Sequence, residues 1–431
     1  MPVKFTDSLP SETLREYRAK RPLRSFPATS TEAAYYPGTQ HIEMCQVDLA
    51  LWHKAGNSND AAIKLRVLPT LLHEHRHWLD HVGSLWGQRN LIARFNAVHS
   101  RIKNNESEFW RIIDYLKASD RDRYKRYFTT IGDPRPPPNG DRRWIAELTC
   151  GIGFDENGRP DNQRPILFAR FLWNDRRRAC RVPLSIGSLL ETNAMQYEIA
   201  TEQELLTLLA DDSRHVETAE RKRSHLERVY NPELGIYSAA VHVVANHLKI
   251  SDIFRAYEVA SLLAALSLNL PDKLFSKLRT PDSFETWGPR VELLRQARDR
   301  GFAFLALVHN APLPWPDEQL DVWCDRALLE SNLPPLAEFS RDVLDEMDLI
   351  KSSALPGTHA SRLHRMLDAG RGLAERMGPL FKIGEFHNAL PQLDPPPVLF
   401  NDLRIGHLGP PRLEDLDAQF SEFLDACGLL G

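Results

Sequence analysis

The stretch Leu71–Gly87, LLHEHRHWLDHVGSLWG, crowds histidine in a chain that has only 16 of them in 431 residues. Within it, His73-Glu74-His75-Arg76-His77 satisfies the pattern HExxH. On a helix, side chains four residues apart stand one turn apart on one face. His73 and His77 can therefore aim two imidazoles at a single ion, and Glu74 can reach a metal-bound water without binding the metal. Neutral imidazoles favour Zn2+ among common cellular ions. His75 points to the opposite side of the helix and cannot join them. The pattern is short, so an amphipathic helix with surface or core histidines is its plain alternative. Leu71, Leu72, Trp78 and Leu79 around the histidines argue for burial. Buried imidazoles need polar partners, and a metal supplies one.

A catalytic Zn2+ takes three protein ligands and keeps one position open for water. The chain has Asp80 and Gly83 where a metzincin carries its glycine and third histidine. His81 lies one turn beyond His77, but three ligands from one straight helix would strain around a tetrahedral ion. Asp80 is a candidate hydrogen-bond partner for a ligand imidazole or one half of a solvated salt bridge. The better third ligand lies in LLETNAMQYE, Leu189–Glu198, which offers Glu191 and Glu198 on one face. Ser188 and Glu191 also read as a capping box, in which the glutamate only closes a helix start.

These residues resemble the gluzincins, zincin metallopeptidases in which a glutamate on a second helix is the third ligand. Glu191 followed by Ala194, with Tyr197 and Glu198 beyond, is similar to the aminopeptidase-type NEGFA stretch. The resemblance implies Zn2+ held by His73, His77 and Glu191, Glu74 as general base, and hydrolysis of peptide bonds. It departs at Leu190, where the family has asparagine. It departs again at Met195, where the thermolysin-like branch places an acidic residue that supports a ligand. No GxMEN segment is present. The resemblance covers two short helices and the order helix, sheet, helix. The oxyanion of such a reaction needs a further donor, for which Tyr237 and His242 are candidates.

The elements that must position these residues follow from periodicity. Leu68, Leu72, His75, Leu79, Val82 and Trp86 form one stripe of a helix beginning near Ala61 or Pro69 and ending near Leu85. Before it, His41–Trp52 reads as a strand and Ala55–Asp60 as a loop. After it come helices over Arg89–Ile102 and Glu106–Ala118. The proline-rich Gly132–Arg143 breaks the helical pattern. Trp144–Phe154, Pro165–Trp173 and Ala179–Ile186, separated by turn sequences, predict a small antiparallel sheet whose edge could take an extended peptide. Ser188–Ala210 returns to helix, and nearly everything beyond Asp211 is helical.

The expected fold is α+β, predominantly α-helical. A zincin-like core with its small sheet would span 41–210, between an N-terminal arm (1–40) and an irregular helical domain (211–431) that covers the cleft or binds substrate or a regulatory protein partner. With 42% hydrophobic and 26% charged residues the chain can bury a substantial core. A net charge of −4 offers no basic field for nucleic acid. The basic cluster Arg121–Tyr127 is interleaved with acids and reads as a solvated helix face. Val259–Leu270 is too short to cross a bilayer, and no signal-like segment opens the sequence. Five scattered cysteines without a CxxC pair favour reduced thiols in a cytoplasm. The expectation is an intracellular zinc metalloprotease acting on a protein or peptide. A helical scaffold with a degenerate site and a zinc hydrolase of a non-peptide amide are the alternatives.

Overall fold

Pro69 in the first turn and Ser84 beyond the last residue bracket the histidine helix, which runs Leu68–Gly83. Proline is tolerated at a helix start because its missing N–H would be unpaired there. Ser84 ends this helix in an extended conformation and accepts a hydrogen bond from the Gly87 N–H, which starts the next one. The corner is tight: a Cβ on Gly87 would lie 2.2 Å from the Asp80 carbonyl oxygen.

The computed structural model describes residues 32–37, 40–102, 106–123, 130–132, 144–155, 158–315, 318–357, 359–380 and 395–406. Most of the N-terminal arm, the basic cluster beyond Arg123, the proline-rich stretch after Gly132, and Cys427 lie outside the described residues. The elements begin with β1 (Ala33–Tyr36), β2 (His41–Met44), α1 (Leu49–Asn57), α2 (Ala61–Leu65), α3 (Leu68–Gly83), α4 (Leu85–Ile102) and α5 (Trp110–Arg123). Strands β3 (Thr130–Ile131), β4 (Ile145–Phe154), β5 (Pro160–Leu172) and β6 (Arg178–Pro183) follow. Then come α6 (Ile186–Leu206), α7 (Asp211–Val229), α8 (Gly235–Leu248), α9 (Ile253–Leu268), α10 (Asp272–Phe275) and α11 (Arg290–Gln296). Next are α12 (Arg300–Asn310), α13 (Leu320–Glu330), α14 (Leu336–Lys351), α15 (Ala360–Met377), and the short strands β7 (Val398–Phe400) and β8 (Ile405–Gly406).

The fold is α+β and mostly helical. It forms two compact units, each gathered from separate stretches of chain. One takes Met1–Lys117, Tyr197–Ala219 and Met347–Gly431; the other takes Ala118–Gln196 and Glu220–Glu346. The division falls inside α6, a continuous helix.

In the first unit α3 is packed by β1, α4 and α15. Its sheet has the order β1-β2-β7-β8, with β2 and β7 parallel and the other pairs antiparallel. The strand expected over His41–Trp52 stops at Met44. Asp48 accepts a hydrogen bond from the Leu51 N–H at 2.6 Å and N-caps α1, so Leu49–Trp52 are helical. Helix α15 lies close on α3: a Cβ built on Gly370 would stand 1.7 Å from the Val82 carbonyl oxygen.

The second unit holds the antiparallel sheet, in the order β3-β6-β5-β4. Its strands match the three expected runs, with β5 starting earlier, at Pro160, and a register shift in the β4–β5 pair between Ile152 and Gly153. Helix α8 packs on β4 and β6, and α9 and α12 pack on α8. The apolar run in α9 is buried, and no described helix is long and apolar enough to cross a membrane. Cys45, Cys150, Cys180 and Cys324 are unbridged.

The contact at Gly370 has a measurable consequence. Gly370→Ala forces two helix backbones apart and should lower stability by about 2–3 kcal/mol, seen as a lower denaturant midpoint with an unchanged slope.

Candidate metal centre

Helix α3 buries far more polar chemistry than a one-sided amphipathic stripe would. His73, Glu74, His75, Arg76, Asp80 and His81 are all buried, and His77 is half-buried. His75 donates through Nδ1 to the Leu71 carbonyl at 2.9 Å, and burial pushes its pKa down to about 4, which keeps it neutral. Arg76 donates through Nε and a terminal nitrogen to Asp80 Oδ1 at 3.1 and 2.9 Å, and its guanidinium lies 4.8 Å from the centre of the Tyr197 ring. Asp80 therefore holds Arg76 in a buried pair, not in the solvated salt bridge that was its alternative. His81 donates through Nδ1 to the His77 carbonyl at 2.8 Å.

Three of the anticipated ligands do come together. His73, His77 and Glu191 each present a ligand atom, and these atoms lie within 4.8 Å of one another. The two imidazole rings meet edge to face with centroids 5.0 Å apart. Glu191 comes from α6, which begins at Ile186. Side-chain hydrogen bonds close the start of that helix three residues earlier than the sequence suggests. Ser188 accepts from the Ser185 N–H at 3.1 Å and donates to the Ser185 carbonyl at 2.7 Å. Glu191 is thus in the second turn of the helix and takes no part in closing its start.

Glu198 has a role the sequence reading does not assign. Its Oε2 stands 3.2 Å from His73 Nδ1, with both side chains largely buried. A carboxylate only accepts, so Nδ1 carries the proton and donates. The lone pair of His73 is then on Nε2, the nitrogen left to face an ion. This is the carboxylate–histidine support common around bound metals. Met195, where the thermolysin-like branch has its acid, is buried. The acid that meets His73 is Glu198, three residues on. The heptad spacing of Glu191 and Glu198 was the signal for it, since residues seven apart share a helix face.

Glu74 Oε2 accepts the Tyr35 main-chain N–H at 2.6 Å. The two candidate oxyanion donors have partners of their own. His242 donates through Nε2 to the Val229 carbonyl at 2.9 Å, and its ring packs among Trp144, Phe171 and Tyr230. Tyr237 is half-buried on α8, and its carbonyl accepts from the Tyr257 hydroxyl at 3.2 Å. The outer edge of β4, the candidate site for strand addition, carries side-chain partners of its own. Asn246 donates to the Trp144 carbonyl and accepts from the Ala146 N–H, and Arg290 donates to the Cys150 carbonyl.

The chain matches no family model, no curated protein and no solved structure.

Two measurements follow from this geometry. Glu198→Ala should weaken Zn2+ binding by about 10- to 100-fold, read by competition with a chromophoric chelator, because the ring of His73 loses its support. His242 bears on stability. Burial holds its pKa near 4 against 6.5 for a free imidazole, so the unfolded chain takes up the proton first. The associated stability is complete above pH 6.5 and is lost as pH falls towards 4. His242→Phe should flatten that part of a plot of denaturant midpoint against pH.

Proposed function

We propose that this protein is a zinc-dependent metallopeptidase of the gluzincin kind, cleaving peptide bonds in a protein or peptide substrate. One observation carries the reading: His73, His77 and Glu191 converge, with the Nδ1 of His73 committed to a carboxylate. Two imidazoles and one carboxylate are the donor set of a catalytic zinc site with a position left for water. The chain residues around the triad fit that ion, since the tautomer that Glu198 imposes leaves Nε2 of His73 as a ligand atom.

In this reading His73, His77 and Glu191 hold Zn2+, which supplies Lewis acidity and lowers the pKa of water. Glu74 is one residue round from His73 on the same helix. Its carboxylate takes a proton from the attacking water and delivers it to the leaving amine. Glu198 keeps His73 in register through the cycle. Unbridged cysteines fit an intracellular setting.

The test is a comparison of variants loaded with metal. Glu74→Gln should keep about one equivalent of Zn2+ yet lose turnover by roughly 10²–10⁴-fold, because only the base is removed. His77→Ala should lose the metal as well. Profiling new N-termini in a cell extract identifies a peptidase directly. New termini that depend on Glu74 support the reading; metal-loaded protein that produces none, yet hydrolyses a small amide, would replace it with a non-peptide hydrolase.

A further inference from the structure

Glu74 is buried, and strand β1 touches it with a main-chain amide. In the β1–β2 ladder Tyr35 stands opposite Ile42, whose N–H donates away from β1 to the Pro397 carbonyl. Tyr35 and Ile42 are therefore a non-hydrogen-bonded pair, and the Tyr35 N–H points off the outer edge of the sheet. That is where it meets Glu74 Oε2 at 2.6 Å, a charge-assisted length.

The strand is pinned rather than loosely laid there. Tyr35 is itself buried, and its hydroxyl donates to Gln40 Oε1 at 2.9 Å. Gln40 sits in the turn between β1 and β2 with φ of 53°, and its amide donates back to the Pro37 carbonyl. The Tyr35 ring also packs edge-on against His81, with centroids 5.3 Å apart. Glu74 and His81 are seven residues apart on α3, so β1 is fastened to one face of that helix at two points two turns apart.

We infer that the Tyr35 main-chain N–H is a positioning group for Glu74: β1 holds one carboxylate oxygen so that the other is presented to the water. This rests on the catalytic role proposed for Glu74. Tyr35 acts through Glu74 and touches no reacting atom. A backbone donor suits the task because its direction is set by the sheet and it has no rotamer to lose. A carboxylate displaced by even 1 Å can cost about 10²-fold in rate.

Replacing Tyr35 by its α-hydroxy analogue exchanges only the N–H for an ester oxygen and keeps the phenol. In the zinc-loaded full chain this should leave metal content and KM near wild type and lower kcat on a casein-derived fluorogenic peptide by ~10- to 100-fold. Tyr35→Phe keeps the N–H and gives up only the hydroxyl contact to Gln40, so on the same assay it should lower kcat less than the ester does. An ester variant as fast as wild type overturns the inference, and a faster one shows β1 to be a restraint on Glu74 instead. A second readout does not depend on hydrolysis. With 15N-tyrosine labelling, the Tyr35 amide should be protected from exchange, and Glu74→Ala should speed its exchange by at least ~30-fold. A Tyr35 amide indifferent to Glu74→Ala overturns the inference. Absent turnover in wild type, with the amide still Glu74-dependent, would reject the hydrolase and leave the pairing intact.

Discussion

Helix α3 buries a run of ionisable side chains, and the surrounding structure is arranged to partner them. An unpartnered charge in a protein interior costs several kcal/mol. The burial of Arg76 therefore requires Asp80 one turn on, and the face of Tyr197 adds a second contact. That contact brings α6 against α3 at Tyr197. Glu198, next to Tyr197, meets His73, and Glu191, two turns earlier on α6, is in the converging group with His73 and His77.

The two carboxylates of α6 show how one helix can divide labour. Glu191 and Glu198 share a face, but one converges on both histidines while the other binds the far side of one ring. Neither the type of residue nor its spacing distinguishes the roles. The distinction comes from where along α3 each turn of α6 lies.

Two of the sheet edges carry side-chain partners. The outer groups of β4 at Trp144, Ala146 and Cys150 meet Asn246 and Arg290, and the outward amide of β1 at Tyr35 meets Glu74. Unpaired edges invite adventitious strand pairing. Side-chain partners blunt that hazard at β4. At β1 the same device joins the edge to a helix carboxylate. His242, which one would read as a donor from its chemistry, is instead a neutral ring among Trp144, Phe171 and Tyr230.

The local elements were largely legible. Alternation and turn chemistry marked the strands between Trp144 and Pro183, and 3.6-residue periodicity marked α3. Those signals arise within a few residues of chain. The HExxH spacing is of the same kind, since helix geometry alone puts His73 and His77 on one face. Glu191 could be named only through a resemblance, and its capping alternative could be dismissed only once Ser185 and Ser188 were seen to close the helix. Strand β7 gives no sequence signal: Val398–Phe400 is three residues long and becomes a strand by pairing with β2, far away in the chain. The interleaving of segments in the two units has the same origin. The amino-acid sequence determined which residues could bind a metal and move a proton. The tertiary structure decided which of them meet, because convergence depends on long-range packing of helices and strands whose contacts no local pattern encodes.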